Sequence, residues 1–174
     1  MNNILISAAK LVLPGHPHNG EIVDIHIENG NITRIAKKIV SKDKKQHIID
    51  GKGCVVSAGF FDLHTNLGEP GLETKEDIKT GTAGAAAGGY TAIVAYPNTN
   101  PPIHSRSEVS LIVNTAKGNI VDVHPIGAIS KKREGKELAE LYDMQSAGAL
   151  AFSDGNHSVQ QGGLMGRALL YAKG

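Results

Sequence analysis

The chain has no tryptophan, a single cysteine and only 4% aromatic residues among its 174. One thiol, Cys54, cannot close an internal disulfide, so the fold must rest on packing, and this cysteine usage suits a reducing, cytoplasmic setting. Cys54 follows Gly53 and leads into Val55-Val56, which predicts a buried structural thiol rather than a nucleophile. No apolar run approaches the roughly 20 residues that a membrane span needs. The start, Met1-Asn2-Asn3-Ile4-Leu5-Ile6, lacks the basic region and long apolar core of a secretory signal. An excess of one charge is missing as well. Lysine and arginine total 18 against 17 acidic residues, a net charge of +1, so nothing points to nucleic acid or to an anionic membrane surface. What is abundant is glycine, 21 residues, much of it beside alanine, a pattern that suits helices packed closely on a sheet.

The first third of the chain reads as β structure. Residues 4–13 are apolar-rich and end at the turn Pro14-Gly15. Ile22, Val23, Ile25 and Ile27 then stand against Glu21, Asp24 and His26 in near alternation. Asn29-Gly30 separates that run from a returning strand at 32–35, a strong hairpin signal. Lys37, Lys38, Lys42, Lys44 and Lys45 form a basic, solvated connection to a further strand and turn at 47–53. Residues 1–57 are therefore a small all-β unit, in which His16, His18 and His26 are read as turn and strand residues rather than metal ligands.

From residue 58 the period changes. Buried apolar runs begin near Phe60, Tyr90, Val121 and Ala149, a spacing of roughly 30 residues, the length of one βαβ unit. Thr74-Lys75-Glu76-Asp77 opens a helix with Thr74 as N-cap, and Gly88-Gly89 ends it. Further helices are expected at 107–117, 134–146 and 162–172, with strands at 90–96, 121–129 and 149–153. Four βα units make half of an eight-stranded TIM-type barrel; an open doubly wound sheet is the alternative. No Gly-x-Gly-x-x-Gly follows the first strand, so a dinucleotide site has no support. The fold class is thus α/β, the N-terminal half of a barrel (58–174) preceded by the β unit (1–57). Half a barrel would leave raw strand edges, so the expectation is a front portion, or a truncated product, of a longer protein.

The chemistry concentrates at Gly59-Phe60-Phe61-Asp62-Leu63-His64-Thr65-Asn66-Leu67-Gly68-Glu69-Pro70-Gly71. A buried strand that delivers His64 at its end, just before a Pro-Gly turn, is how a barrel presents a metal ligand. Alone, His64 reads first as a hydrogen-bonded core histidine, and it is the neighbouring residues that shift the reading towards a ligand. Asn98 in Pro97-Asn98-Thr99 and Asp154 in Phe152-Ser153-Asp154-Gly155 follow later strands, and in a barrel these ends share one mouth. Their bland alternatives are an Asx-turn for Asn98 and a cap or turn for Asp154.

These segments resemble the cyclic amidohydrolases, most closely the dihydroorotases. The resemblance extends to Gly88-Gly89-Tyr90-Thr91, Pro125-Ile126-Gly127-Ala128-Ile129 and Gly135-Lys136-Glu137-Leu138. It implies a zinc-dependent barrel hydrolase, with one or two ions and His64 and Asp154 among the ligands. Asn66 stands where the family has its second histidine. Gly68 stands where the family has a substrate-clamping arginine, and Asn98 where its asparagine holds the substrate carboxylate. The family has two aspartates where this chain has Asp154 alone, and the sequence leaves open which one it matches. The remaining ligands and the general base are expected beyond residue 174. The activity implied is interconversion of carbamoyl-aspartate and dihydroorotate in pyrimidine synthesis, impaired or lost through the changes at Asn66 and Gly68. The alternatives are a non-catalytic homologue that assembles with aspartate transcarbamoylase, and a hydantoinase or allantoinase. A small-molecule substrate and a homo-oligomer are expected, with no nucleic-acid or membrane partner.

Overall fold

The computed structural model describes residues 3–40 and 45–173, so Lys42 and Lys44 of the basic connection lie outside the described residues. The chain divides into two compact units, Met1–Ala58 and Gly59–Gly174.

The first unit is a five-stranded sheet. β1 (Asn3–Val12) lies between β2 (Ile22–Glu28), antiparallel to it, and β4 (His47–Asp50), parallel to it. β3 (Asn31–Ala36) returns antiparallel beside β2, and β5 (Val55–Ser57) runs parallel to the far end of β1. The Asn29-Gly30 turn has both residues at positive φ, 51° and 81°, the backbone that this dipeptide favours. Leu11, Val23 and Ile25 form the core, with Ile6, Ile27, Ile35 and Val56 packed on it.

Two expectations for this unit are corrected. Cys54 is exposed, in the turn that follows Gly53 at φ 78° and precedes β5. Asp24, expected on the polar face of its strand, is buried at 2% exposure, while Ile22 is 64% exposed. The cause is a bulge in β1 between Ile6 and Ala9, where Ala8 takes a left-handed backbone at φ 57°. The Asp24 carboxylate accepts the Ala8 amide at 2.9 Å and the Ile39 amide at 2.8 Å, satisfying two donors that the irregular backbone leaves without ladder partners.

The second unit is a four-stranded parallel sheet in sequential order, β6 (Phe60–Thr65), β7 (Tyr90–Ala95), β8 (Asp122–Gly127) and β9 (Ala151–Phe152). This is the arrangement expected for four successive βα units of a barrel. Helices α1 (Ile78–Ala87), α2 (Arg106–Thr115), α3 (Leu141–Ser146) and α4 (Gly162–Tyr171) connect or follow the strands. Leu67, Ile78, Ile93, Ile103, Val109, Ile112 and Met144 fill the space between sheet and helices.

Helix starts follow side-chain chemistry. α1 begins at Asp77, not at Thr74: the Asp77 carboxylate accepts the Thr80 amide at 2.7 Å, and the Thr80 hydroxyl answers back to the Asp77 amide. In α2, Ser105 and Glu108 form the same reciprocal box. The helix expected at 134–146 starts only at Leu141. Lys132, Arg133 and Gly135 hold φ of 56°, 60° and 67°, which no right-handed helix accepts. The segment folds back on the end of β8 instead, with Lys131 N–H donating to the Glu137 carbonyl and Ala139 N–H to that of Ile129, both at 2.9 Å. The fourth strand is two residues long rather than five.

The apolar run in β6 is also not buried as expected: Phe60, Phe61 and Leu63 are 59%, 47% and 67% exposed. β6 has a strand on one side only, and α1 and α2 lie against β7 and β8.

Replacing Asp24 by Ala leaves the amides of Ala8 and Ile39 without a partner. We expect a loss of about 2–6 kcal/mol, at about 1–3 kcal/mol per orphaned donor. Urea denaturation followed by circular dichroism reads it, and a loss under about 0.5 kcal/mol would contradict this role for Asp24.

Candidate functional site at the strand ends

β6 ends in a fixed turn. The Asp62 carboxylate accepts the His64 amide at 2.9 Å and the Thr65 hydroxyl at 2.8 Å, so the chain leaves the strand with His64 held at its end. The loop that follows is built around three residues of Gly68-Glu69-Pro70-Gly71. Glu69 accepts the first amide of α1, that of Ile78, at 3.0 Å, which places an acidic side chain at the positive end of the helix. Gly68 accepts the Leu72 amide at 2.8 Å through its carbonyl. Gly71 touches the next strand-end loop: Asn100 N–H donates to the Pro70 carbonyl at 2.9 Å. The Gly71 amide donates to Glu73 at 2.6 Å, and this bond holds the Glu73 carboxyl below the usual carboxylate range.

The candidate residues are distributed over this platform as follows. The His64 ring lies on Tyr96, with centroids 3.8 Å apart and planes 34° from parallel. The Tyr96 hydroxyl is 3.4 Å from the Ser153 hydroxyl, which accepts the Gly155 amide at 3.0 Å. Asn66 and Asn98 meet directly: the Asn98 Nδ2 amide donates to Asn66 Oδ1 at 2.6 Å. Asp154 is 3% exposed, and its two carboxylate oxygens accept the Ser130 amide at 2.9 Å and the Ser130 hydroxyl at 2.5 Å. Arg133, itself buried, donates to the Asp154 carbonyl at 2.9 Å and to the Asn156 side-chain oxygen at 2.5 Å.

So the structure pairs Asn66 with Asn98, stacks His64 on Tyr96, and turns the Asp154 carboxylate towards Ser130. Among the described residues, no three His, Cys, Asp or Glu side chains converge in a way that could hold a metal ion. A zinc site needs three or four such donors around one point. Of the strand-end residues, Asn66 offers a neutral amide oxygen that accepts from Asn98, and the Asp154 oxygens accept from Ser130, so His64 and Asp154 are the two donors of the zinc-binding type at these positions.

A cavity of about 290 Å³ opens beside the paired asparagines, lined by Asn66, Gly68, Leu72, Lys75, Glu76 and Asn98. Sequence reasoning did not find Lys75, Tyr96, Ser130 or Arg133. Tyr96 closes an apolar run and looked like its last residue. Ser130 and Asp154 are 24 residues apart, with nothing periodic to link them.

The fold defined here is that of the cyclic amidohydrolases. A crystal structure of a D-hydantoinase superposes with TM-score 0.73 at 26% identity, covering 98% of this chain and 38% of that one. The L-hydantoinase (dihydropyrimidinase) from Arthrobacter aurescens gives TM-score 0.69 over 87% of this chain and 32% of that one, at 23% identity. Among curated proteins, the dihydroorotase of Caldicellulosiruptor saccharolyticus is 44% identical over 171 residues, 98% of this chain and 40% of that protein. The dihydroorotase of Geobacter sulfurreducens is 40% identical over 173 residues, again 40% of its own length. The chain belongs to the dihydro-orotase-like family, whose model matches residues 53–173. It spans about 40% of the length of these curated relatives.

If Asp154 acts by holding Ser130, Asp154→Ala should cost about 2–4 kcal/mol, because it strands a buried amide and a hydroxyl. The unsubstituted protein should melt at the same temperature with and without a chelator. A chelator-induced drop in the melting temperature that Asp154→Ala abolishes would show a ligand role instead.

Proposed function

We propose that the protein is a dihydroorotase-type cyclic amidohydrolase chain that recognises carbamoyl-aspartate and dihydroorotate, and in which metal-dependent turnover is impaired or lost. Family membership supports the substrate class. The observation that carries the impairment is the engagement of the strand-end donors with one another, above all Asn66 with Asn98.

Ring closure of carbamoyl-aspartate joins a ureido nitrogen to a carboxyl carbon and releases water. In this family's chemistry a bound zinc ion polarises the carbonyl and lowers the pKa of water to about 7. Among the described residues the donors do not assemble that centre. What they can do is position. Asn98 retains one amide hydrogen beyond the one given to Asn66, and it stands at the end of β7, facing the cavity it lines. His64 is held in a stack with Tyr96 rather than standing free, so its ring is already oriented by the protein.

Gly68 sharpens the reading. The arginine expected from the resemblance cannot simply be supplied there. The backbone is left-handed at φ 73°, and a Cβ would lie 2.6 Å from the Glu76 carbonyl and 2.8 Å from that of Leu72. The loop is closed around a glycine.

The test is a cyclisation assay with carbamoyl-aspartate in the presence of added zinc, with metal content measured on the same samples. We expect little or no turnover and less than one equivalent of zinc. Robust turnover with zinc bound stoichiometrically would overturn the impaired reading.

A further inference from the structure

Lys132 and Arg133, in the loop after β8, are successive residues with left-handed backbones, at φ 56° and 60°. Such a pair is costly for residues with a Cβ and persists only where its surroundings hold it. What it achieves here is the placement of one side chain. Arg133 is 9% exposed, and its guanidinium reaches the loop after β9, where Nε donates to the Asp154 carbonyl at 2.9 Å and Nη2 to the Asn156 side-chain oxygen at 2.5 Å. Both acceptors are neutral, so the arginine serves as a rigid fork of donors rather than as half of an ion pair.

Gly155 lies between those two acceptors. At φ 70°, a Cβ there would lie 2.8 Å from Arg133 Nη2 and 2.9 Å from Tyr96 Cε1. The Gly155 backbone is thus packed against both the guanidinium and the tyrosine ring, an approach that only a residue without a side chain permits. The same loop meets Tyr96 a second time. The Ser153 hydroxyl, which accepts the Gly155 amide at 3.0 Å, is 3.4 Å from the Tyr96 hydroxyl. Tyr96 in turn carries the His64 ring, with centroids 3.8 Å apart. One line of contacts therefore runs from Arg133 after β8, through Gly155 after β9 and Tyr96 after β7, to His64 on β6.

We propose that Arg133 and Tyr96 are positioning residues for His64: Arg133 fixes the 153–156 loop, that loop seats the Tyr96 ring, and the ring holds the imidazole. His64 needs such a seat. Its side chain is exposed, and exposed side chains exchange rotamers within picoseconds to nanoseconds unless a neighbour holds them. The Asp62 carboxylate fixes only the His64 backbone. A stacked tyrosine gives one face of the imidazole a fixed neighbour. The strained backbone of one strand-end loop is thereby linked to a side chain two strands away in the sheet. This role goes beyond the proposed function and is independent of it, since neither substrate nor metal takes part.

The test reads the His64 ring directly. Proton–carbon NMR spectra of the imidazole are recorded for the parent, Tyr96→Leu, Arg133→Met and Asn156→Ala, with the His64 signals assigned through His64→Gln. All are taken at about pH 8.5, above the range in which an unperturbed imidazole titrates, so that protonation does not differ between samples. The Tyr96 ring current shifts the His64 ring protons upfield in the parent, and Tyr96→Leu, which abolishes it, sets the size of the full effect. We expect Arg133→Met, which keeps bulk but removes both donors, to lose most of that shift. Asn156→Ala removes one acceptor at an exposed position and leaves the strained backbone alone, so it should lose a smaller part. Melting temperatures are measured on the same samples. If Arg133 merely staples its own loop, Arg133→Met lowers the melting temperature while the His64 signals keep their parent positions, and that result overturns the proposal. Should Arg133→Met fail to fold, Asn156→Ala decides: parent-like His64 signals overturn the proposal, and a partial loss of the shift supports it. His64 signals in Tyr96→Leu that match the parent would overturn the role of Tyr96, and with it the whole line of contacts.

Discussion

The backbone of Gly71 lies close against the Asn100 carbonyl, and the candidate site depends on this approach. At φ 86°, a Cβ on Gly71 would lie 1.7 Å from the Asn100 carbonyl oxygen. Only glycine allows the two loops to touch. The contact brings the end of the β6 loop against the segment after β7, and the Asn100–Pro70 backbone bond fastens it. From that constraint the rest follows in order. Asn66 and Asn98 come within hydrogen-bond distance, Leu72 folds onto Gly68, and the turn that carries Lys75 is set beside them. A site built by two loops clamped on one glycine tolerates little at that position, whereas the side chains facing the cavity are free to differ.

The second constraint is the way polar groups are consumed inside the mouth. Asp154, Ser130 and Gly135 form one buried knot, since the Ser130 hydroxyl also accepts the Gly135 amide at 2.8 Å. Arg133 closes it from above by binding the Asp154 carbonyl, although its own backbone sits at φ 60°, a conformation costly for a residue with a Cβ. Two successive left-handed residues, Lys132 and Arg133, persist there because the surrounding bonds determine the segment. That is why the loop after β8 is irregular where helix was expected.

The parallel order β6-β7-β8-β9 was legible because each strand falls in a compact apolar run at a regular interval, although the run in β6 is largely exposed. The helix expected at 107–117 was read from its apolar content, while the Ser105–Glu108 box that starts it is seen only in the structure. What was not legible depends on partners distant in sequence. Asp24 is polar in a strand and was placed outside; a bulge 16 residues away, at Ala8, turns it inward. Helix 134–146 had suitable spacing at Leu138 and Leu141, yet Asp154, further along the chain, engages Ser130 and redirects the segment. The candidate site shows the same division. The strand-end positions of His64, Asn66, Asn98 and Asp154 could be read from motifs, but what each side chain touches could not.

This interlocking bears on whether the site could be converted back by single changes. Exchanging Asn66 for histidine would restore an imidazole, but it removes the amide oxygen that accepts the Asn98 hydrogen, so Asn98 is released as His is gained. Exchanging Gly68 for arginine demands that the Leu72 and Glu76 carbonyls move, and those carbonyls belong to the turns that carry Lys75 and lead into α1. The two changes therefore act on one network rather than on separate steps. Residues that share partners do not contribute additively, with coupling of about 0.5–3 kcal/mol of either sign. The mouth of this chain is consistent with itself as a hydrogen-bonded surface carrying one free cation among the residues lining its cavity. Turning it into a metal centre requires rebuilding the loop backbone together with the side chains, and a substitution judged one position at a time misses that coupling.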